Sequence, residues 1–411
     1  MPGHNLAIDI DRLLGRLDRL AEIGAIDGGG CCRLALSDDD KRGRDLVVGW
    51  MRELGLDVSI DAIGNIVGLR RSRNGGAPVL TGSHIDTVRT GGRYDGNLGV
   101  LAGLEVVEVL NAAGIETERP VAVAVFTNEE GARFAPDMMG SLVYAGGLDL
   151  DAALATTGID GATVGDELRR IGYAGDRAPG QIRPHAFVEL HIEQGPILEA
   201  EGVTIGAVEN LQGISWQEVR IEGQSNHAGT TPMRLRHDAG YCAAAIGQFV
   251  RELAADMGGD QVGTVGAIDL HPNLINVIAA SATVTVDLRN TDEAKLQEAE
   301  RRFAGFLSEL AEREGVAIST RPLARFEPVT FDAGIAETIG HIAQELEHST
   351  RPMTSGAGHD AQMMARLCPT AMIFTPSVGG ISHNPAEHTE PEDLAAGANV
   401  LLHTMLALAR P

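Results

Sequence analysis

Short apolar runs and helical patterns alternate over much of the chain. The runs Ala77–Ser83, Val121–Phe126, His185–Ile192 and Ala371–Thr375 are largely apolar, which is typical of strands buried on both faces of a sheet. Between the first two, the segment LGVLAGLEVVEVLNAAG repeats its apolar positions with the period of a helix. A strand, a helix and a strand in this order predict an α/β domain with a mostly parallel sheet flanked by helices.

The middle of the chain follows a different pattern. Between residues 213 and 326, strand and helix patterns succeed one another in the order β-α-β-β-α-β, which is a split βαβ unit able to form a sheet of its own. Because α/β character resumes at Asp332–Ala343, we expect this stretch to be an insertion. The sequence therefore predicts a discontinuous domain, 1–212 and 327–411, and an inserted domain, 213–326, and clefts between such domains commonly bind ligands.

The charge balance argues against several classes of partner. The chain has 33 Lys+Arg against 57 Asp+Glu, a formal net charge of −24 at pH 7. Such a surface repels phosphates and anionic lipids, so we expect no nucleic-acid and no membrane partner. No apolar run approaches the roughly 18 residues of a membrane helix, and the N-terminal pattern is amphipathic, so we expect a cytoplasmic protein. The four cysteines form no C-x-x-C pair, which favours reduced thiols.

Three histidines stand apart from the other ten. His84 and His191 each close an apolar strand, and His383 lies in a Gly-rich loop after a third strand. Residues at the carboxyl ends of strands in an open α/β sheet face a common crevice. We therefore expect these three side chains to converge, whereas surface histidines are the ordinary interpretation of most of the others.

Acidic residues occupy similar positions. Asp86 follows His84 by two residues, so we expect its carboxylate to accept the second N–H of that imidazole. Asp95 precedes a helical pattern, where it is either an N-cap or a metal-bridging carboxylate. Glu129 and Glu130 follow the strand Val121–Phe126, where they form either an exposed acidic pair or part of a cation site.

Together these residues make a set suited to two divalent ions about 3.5–4 Å apart, each with room for water. Imidazole and carboxylate without thiolate suit Zn, Mn, Co or Ni. The uncoordinated Glu129 could then act as a general base. The candidate ligands are His84, Asp95, Glu130, His191 and His383.

A series of longer motifs extends over nearly the whole chain: TGSHIDT, GGRYDGNLGV, FTNEEGARF, ELHIEQGPILE, NHAGTTPM, VDLRN, SGAGHDA and GISHNPAE. In wording, spacing and order they resemble the amidases of the hydantoinase/carbamoylase family, a branch of the dinuclear-metal aminoacylase-like peptidases. That family includes N-carbamoyl-L-amino acid hydrolases, allantoate amidohydrolases and β-ureidopropionases. The resemblance implies a zinc-exopeptidase-like catalytic domain with an inserted ferredoxin-like lid and dimerisation domain.

The resemblance also implies which residues bind the metal ions. One ion is held by His84, Asp95 and His191, and the other by Asp95, Glu130 and His383. Glu129 is implied as the catalytic base.

Further residues are implied to contact the substrate. His227 reaches into the active site of a partner subunit and polarises the scissile carbonyl. Asn276 and Arg289 hold the substrate's carboxylate, a task that suits a planar guanidinium. Gln194, Gly356 and Gly358 are supporting contacts, although a simple turn is the alternative for the two glycines. For His359 and Asp360 we expect a structural or outer role.

The implied function is a metal-dependent amidohydrolase that cleaves the C–N bond of an N-carbamoyl-L-amino acid to give the amino acid, ammonia and carbon dioxide. Its nucleophile is a hydroxide bridging two divalent ions per subunit. The substrate is a small ureido carboxylate, and the assembly is a homodimer formed through the inserted domain. Allantoate amidohydrolase and β-ureidopropionase are alternatives, a peptidase or aminoacylase is less favoured, and a non-catalytic relative is disfavoured by the intact ligand set.

Overall fold

The structure, a computed structural model, describes residues 6–410. Its strands are β1 (Asp57–Ile60), β2 (Ile66–Arg70), β3 (Val79–His84), β4 (Val121–Phe126), β5 (Ala186–Ile192), β6 (Ile205–Leu211), β7 (Gly213–Glu222), β8 (Val262–His271), β9 (Ser281–Asn290), β10 (Ala317–Phe326), β11 (Val329–Thr330), β12 (Thr350–Ser355) and β13 (Thr370–Thr375).

Its α-helices are α1 (Ile10–Ala21), α2 (Asp38–Glu53), α3 (Asn97–Ala112), α4 (Met139–Tyr144), α5 (Leu150–Leu154), α6 (Val164–Ile171), α7 (Ile197–Glu201), α8 (Ala239–Met257), α9 (Glu293–Glu314), α10 (Ala333–Glu345), α11 (Asp360–Met364) and α12 (Pro391–Leu408). Short 3-10 turns occur at Met233–Leu235 and Val378–Gly380.

The described chain forms two compact units. The first unit runs up to residue 209 and resumes at residue 330, and the second, which we call the inserted unit, is residues 210–329. The stretch 213–326 that the sequence marks as an insertion lies inside the second unit.

The centre of the first unit is a parallel sheet. Strands β4, β3, β5 and β13 are neighbours in that order, and each adjacent pair is parallel. His84 is in register with Phe126 at the ends of β3 and β4, and His191 is in register with Phe374. The predicted α/β class is confirmed, and the carboxyl ends of these strands lie at one edge of the sheet.

The flanks of this nine-stranded sheet are antiparallel. β1 pairs with β2, and β2 with β4, in antiparallel register, and on the other side β13 pairs antiparallel with β6. The sheet is therefore mixed rather than parallel throughout. The sequence segment LDVSIDAIGNIVGLR, expected to be strand-like, forms the two antiparallel strands β1 and β2, because Asp61–Asn65 reverse the chain direction.

Helices pack against this sheet. α3 lies against β3, β4 and β5, and α12 lies against α3 and β13. Most residues of α3 are buried around its whole circumference, which its high apolar content allows. α3 thus fixes the loop that enters it, which is the loop that carries Asp95.

The inserted unit has the predicted β-α-β-β-α-β order, formed by β7, α8, β8, β9, α9 and β10. Its sheet has the strand order β10-β7-β9-β8 with antiparallel pairs, the arrangement of a ferredoxin-like fold. Alternate residues of β9 (Ala282, Val284, Val286 and Leu288) are buried in its own core with the apolar faces of α8 and α9.

Among the described residues, no helix is both long and apolar enough to span a membrane. The four cysteines are free thiols, in agreement with the sequence expectation.

Candidate metal centre and substrate-binding residues

The candidate ligands come from the ends of adjacent parallel strands. His84 is the last residue of β3, His191 is the penultimate residue of β5, and Glu129 and Glu130 follow β4 by a short loop. Because β4, β3 and β5 are neighbours, their carboxyl ends bring these side chains to one edge of the sheet. The loops that carry Asp95 and His383 complete the cluster.

His84 and His191 both present Nε2 to the cluster. Nδ1 of His84 lies 2.9 Å from the backbone oxygen of Asp86, and Nδ1 of His191 lies 2.9 Å from that of Ile192. A carbonyl oxygen can only accept, so in each neutral ring the proton is on Nδ1 and the lone pair is on Nε2. Both rings are thus fixed in the tautomer and orientation of a metal ligand.

Asp95 lies between two groups of candidate ligands. Its Oδ1 is 3.6 Å from Nε2 of His84 and 3.2 Å from Nε2 of His191, and these three residues are called the two-histidine group. Its Oδ2 is 3.2 Å from Nε2 of His383, which lies 3.3 Å from Oε2 of Glu130. Asp95, Glu130 and His383 are called the one-histidine group. Within each group the candidate ligand atoms are all less than 4.8 Å apart.

The alternative role of Asp95 as a helix cap does not fit the structure. α3 begins at Asn97, its N-cap residue is Gly96, and no side chain caps it. A Cβ at Gly96 would lie 2.4 Å from Cε1 of His84, so only glycine lets the Asp95 loop approach this ring. The Asp95 carboxylate is therefore directed to the histidines.

Glu129 and Glu130 do not form an exposed acidic pair. Oε2 of Glu129 lies 3.4 Å from Nε2 of His84, and the side chain is buried. Glu130 accepts a hydrogen bond from the backbone N–H of Val88 with its other oxygen. The two adjacent carboxylates thus face different histidines, and Glu129 belongs to neither ligand group.

Protons and charges are strongly coupled in this cluster. Burial would raise the pKa of Asp95, but hydrogen bonds to the three histidines hold it well below its usual value. Burial raises the pKa of Glu129 well above its usual value, and burial together with Asp95 raises the pKa of Glu130 to about 8. Burial would lower the pKa of His84, but Glu129 and Asp95 outweigh it and raise that pKa. Converging carboxylates thus require positive charge, from protons or cations.

The prediction for the Asp86 carboxylate is wrong in its details. The backbone oxygen of Asp86, not its carboxylate, accepts the N–H of His84. The carboxylate instead accepts the backbone N–H groups of Glu129, at 3.2 Å, and Glu130, at 3.3 Å. β3 ends at His84, so the two-residue alternation of a strand does not continue to Asp86. Asp86 still supports the centre from outside, by fixing the loop of the two glutamates.

Gln194, expected at the substrate, contacts the centre itself. Its side-chain amide donates to Oδ2 of Asp95 at 2.9 Å and to Oγ of Ser382 at 3.2 Å. Ser382 in turn donates to Oε2 of Glu387, a buried carboxylate that the sequence reasoning missed. The available signal was its position in the GISHNPAE motif, four residues after His383.

A third cluster lies behind His191. Glu189, His191 and His359 have potential ligand atoms within 4.8 Å of one another. Glu189 already accepts hydrogen bonds from Ser83 and from the backbone N–H of Ala361, and Nε2 of His359 is bonded to Ser355. The ring of His359 lies 4.5 Å from that of His191, between centroids. This cluster supports His191, in line with the outer role expected for His359.

His227 and Asn276 lie on neighbouring segments of the inserted unit. His227 pairs with Val277 in an isolated bridge, and the backbone N–H of Ala228 donates to the oxygen of Asn276. Both side chains are exposed. Nδ1 of His227 accepts the backbone N–H groups of Gly229 and Thr230, so the neutral ring carries its proton on Nε2. His227 therefore offers an exposed hydrogen-bond donor.

Arg289 is paired with an acidic side chain of the inserted unit. Its guanidinium binds both carboxylate oxygens of Asp287 and lies over the ring of Trp216, 5.9 Å from the centroid. Asp287 precedes it by two residues on β9, so both face the same side of the sheet. These three residues all belong to the inserted unit.

Gly356 and Gly358 lie in a turn after β12. The Ser355 hydroxyl donates to the oxygen of Ala357 and accepts its N–H, which closes the turn between the two glycines. A Cβ at Gly358 would lie 2.9 Å from Cε of Met138. The turn that was the alternative interpretation is present, and close packing accounts for Gly358.

The residues present fit two divalent cations. Each group offers imidazole and carboxylate donors, Asp95 belongs to both, and thiolate is absent from either set. The ion pairs of Asp95, Glu129 and Glu130 in the described chain are with histidines, which can give up their protons to a metal. The tautomers of His84 and His191 place the lone pair on Nε2 in both rings, and in His191 this nitrogen accepts the backbone N–H of Gly96 at 3.2 Å.

Comparison with known proteins places this site in a family. Residues 80–407 match peptidase family M20/M25/M40. An N-carbamoyl-L-amino-acid amidohydrolase of Rhizobium meliloti is 44% identical over 409 residues, 99% of this chain and 98% of that protein. A ureidoglycolate hydrolase of Arabidopsis thaliana is 36% identical over 98% of this chain and 88% of that protein.

The crystal structure of a hydantoinase/carbamoylase family amidase from Burkholderia multivorans matches with a TM-score of 0.94 at 46% identity, over 99% of both chains. The resemblance drawn from the motifs is confirmed. The chain belongs to peptidase family M20/M25/M40 and, within it, to the amidases of the hydantoinase/carbamoylase family.

Proposed function

We propose that this protein is a metal-dependent amidohydrolase that cleaves the C–N bond of an N-carbamoyl-L-amino acid, giving the amino acid, ammonia and carbon dioxide. One observation carries the proposal: two ligand groups share Asp95, and a buried carboxylate, Glu129, lies beside them without belonging to either. The Rhizobium meliloti relative, 44% identical, supports the choice of substrate.

Two divalent ions, such as Zn, Mn, Co or Ni, would be held by the two-histidine and one-histidine groups. When bound, they supply Lewis acidity, which lowers the pKa of water and polarises the ureido carbonyl. The hydrogen bond from Gln194 keeps the shared carboxylate of Asp95 oriented toward both groups.

Glu129 is the general base. Its buried carboxylate lies 3.4 Å from Nε2 of His84 and outside both ligand groups, so it can take a proton from water and return it to the leaving nitrogen. Its backbone N–H is fixed by Asp86, and its backbone oxygen accepts the N–H of Met138 at 2.7 Å. These bonds hold the carboxylate in place without occupying it.

The inserted unit supplies the substrate contacts. Arg289 binds the substrate's carboxylate through its guanidinium, with Asn276 as a second donor. Nε2–H of His227 donates to the scissile carbonyl oxygen, where negative charge develops. We assign Gly356 and Gly358 to the wall of the substrate site, where the backbone of the turn that they flank would contact the ligand.

We further propose a homodimer in which His227 serves the active site of the partner subunit and the inserted unit acts as lid and dimerisation domain. β8 is an edge strand of the four-stranded sheet, and its exposed residues include Val262 and Ile268. An unpaired strand edge with apolar residues favours pairing with an identical edge across a twofold axis.

Ureidoglycolate hydrolysis is the second candidate activity, because a protein of that name is 36% identical to this chain over nearly its whole length. Allantoate and β-ureidopropionate belong to the same class of ureido carboxylates. All of them offer a carboxylate for Arg289 and a ureido carbon for attack. The described side chains therefore favour ureido carboxylates as a class and do not select one member of it.

A parallel substrate panel tests the proposal. The metal-loaded protein is assayed for ammonia release from N-carbamoyl-L-amino acids, ureidoglycolate, allantoate and β-ureidopropionate, and for release of the free amino acid from N-acetyl amino acids, with Glu129→Gln as the blank. The highest kcat/KM on an N-carbamoyl-L-amino acid supports the proposal. A preference for ureidoglycolate selects the second candidate, and activity on N-acetyl amino acids alone refutes both.

A further inference from the structure

We propose that Glu387 is a positioning residue: its carboxylate ties the Asp95 loop to the His383 loop and thereby sets the affinity of the one-histidine group for its ion. The inference rests on the proposed function only in assuming that the two ligand groups bind cations. It assigns Glu387 no contact with the ion or the substrate.

The Glu387 side chain joins the two loops directly. It is 5% exposed, and Oε1 accepts the backbone N–H groups of Tyr94, at 3.0 Å, and Asp95, at 3.2 Å. Oε2 accepts the hydroxyl of Ser382 at 3.0 Å. One carboxylate therefore holds the backbone of the shared ligand Asp95 and the residue immediately before His383.

The Asp95 loop is built around this carboxylate. A Cβ at Gly92 would lie 2.1 Å from Oε1 of Glu387 and 2.2 Å from Cδ. The carboxylate thus occupies the space that a side chain at Gly92 would need, and the loop backbone packs directly on it. Such a contact leaves the loop one position relative to Glu387.

The two ligand groups depend on this tie to different degrees. His84 and His191 lie on β3 and β5, which pair with each other and with β4 and β13, and both side chains are buried. His383 is on a loop, its side chain is 52% exposed, and its φ is +53°. A non-glycine residue at positive φ needs surrounding contacts to hold it. The one-histidine group is therefore the one that needs Glu387.

A second link closes the network. Gln194 donates to both Asp95 and Ser382, so hydrogen bonds run from Glu387 through Ser382 and Gln194 to Asp95 and back through its backbone. Loss of Glu387 would leave Ser382 without its acceptor and two buried N–H groups without a partner. Removing an outer hydrogen-bond partner of a metal ligand typically lowers metal affinity by about 10–100-fold.

Three variants at the network test the proposal. Glu387→Ala should lower the affinity of the one-histidine group for its ion by about 10–100-fold and change the affinity of the two-histidine group by less than about threefold. Glu387→Gln should recover affinity to within about threefold, because its amide oxygen still accepts both N–H groups and its NH₂ can donate to Ser382. Ser382→Ala should produce a smaller selective loss, and it preserves the contact with the backbone of Asp95.

The readout is ion binding rather than turnover. Each chelated variant is titrated with Zn²⁺ or Co²⁺, and bound metal per chain is counted after equilibrium dialysis. Two background variants assign the sites. His383→Ala leaves the two-histidine group intact, and adding Glu387→Ala should not lower the affinity for its ion. His84→Ala leaves the one-histidine group intact, and adding Glu387→Ala should lower the affinity for its ion. Glu167→Ala is the matched control, because Glu167 is also a buried carboxylate and binds Arg133 and Arg170 away from both ligand groups.

Three results in these variants would overturn the proposal. Glu387→Ala could bind both ions with wild-type affinity, or it could lose affinity for both ions equally. Glu387→Gln could bind the ion of the one-histidine group as weakly as Glu387→Ala does. The same loss in Glu167→Ala would also overturn it. A wild-type chain holding fewer than two ions refutes the centre itself and this proposal with it. If the wild type holds two ions yet cleaves no ureido substrate, only the substrate assignment fails, and the ion counts still decide the role of Glu387.

Discussion

Asp287 binds the guanidinium of Arg289 within a single strand, with Nη2–Oδ2 at 2.8 Å and Nε–Oδ1 at 3.1 Å. The pair holds the planar group against the ring of Trp216. Arg289 is thus oriented in advance, so less side-chain entropy is lost when a carboxylate binds. A net charge of −24 also makes an oriented cation a distinctive site for a small anion.

Replacing Arg289 should selectively weaken the binding of substrates that carry a carboxylate. Arg289→Ala should raise KM for a ureido carboxylate by about 10–100-fold, the value of a charge-assisted hydrogen bond, with a smaller effect on kcat. The KM of Arg289→Lys should lie between those of the wild type and Arg289→Ala, because an ammonium keeps the charge but lacks the planar fork. Steady-state kinetics on the acid and on its neutral amide provide the measurement. An equal loss on the amide would contradict a contact with the carboxylate.

Removing the carboxylate of Glu129 should greatly slow catalysis without releasing metal. Glu129→Gln should lower kcat by about 10²–10⁴-fold, because the amide cannot accept the proton of water. Ammonia release gives the rate, and metal analysis should find the wild-type ion count, because Glu129 belongs to neither ligand group. Unchanged turnover would remove Glu129 from the mechanism, and a lost ion would make it a ligand.

Complementation tests the action of His227 across a dimer. His227→Ala and Glu129→Gln chains, each inactive, should regain part of the wild-type activity when mixed, because one active site of the heterodimer has both intact residues. Subunit exchange is verified with differently tagged chains, and mixing each variant with itself is the control. Verified exchange without recovery would place His227 in its own subunit's site.

The metal-free protein should lose stability as the pH rises. The hydrogen bond to Asp95 raises the pKa of His383 from 6.5 to about 9, and burial raises that of Glu130 from 4.5 to about 8. At a pH between its unfolded and folded pKa values, each of these groups keeps a proton in the folded chain that it has lost in the unfolded chain. Raising the pH through this range therefore favours unfolding. The Tm of chelated protein should therefore fall between about pH 6 and about pH 8.5.

Two comparisons make this pH test specific. Metal-loaded protein should show a weaker dependence, because cations replace the protons, and metal-free Glu130→Gln should also have a shallower slope. Differential scanning calorimetry at both pH values measures Tm. If the Tm of the chelated wild-type chain is constant or rises over this range, the raised pKa values of His383 and Glu130 are refuted.

Glycine at position 96 should be required by the space beside His84. Gly96→Ala should lower the free energy of unfolding by about 1–3 kcal/mol, because φ is +65° and the new Cβ would meet the imidazole. It should also weaken the ion of the two-histidine group. Gly114→Ala is the control, since Gly114 has φ +62° but nothing within 4 Å of a Cβ. Denaturant unfolding and ion counts should show backbone strain in both variants and metal loss only in Gly96→Ala.

The sequence predicts the buried elements well. The strand Val121–Phe126 has the predicted bounds, and His84 and His191 meet because apolar runs of this kind place their ends at one edge of a parallel sheet. The flanking strands β6 and β12 were not predicted. Their side chains are only partly apolar, and their pairing depends on residues distant in sequence.

The supporting contacts were harder to predict. Glu387 acts on backbone N–H groups 292 and 293 residues away, which no local pattern reveals. Asp86 was misassigned because the end of β3 cannot be located to the residue from apolar pattern. The Asp287–Arg289 pair could have been predicted, because residues two apart in a strand share a face.

The position of β13 has a consequence for biosynthesis. β13 lies between β5 and β6 in the sheet, although residues 370–375 are made long after both neighbours. A nascent chain that stops short of β13 leaves the inner flank of β5, which carries His191, without its partner, and it also lacks His383. The one-histidine group can therefore be completed only after translation has passed residue 383, so a prematurely terminated product cannot form both ligand groups.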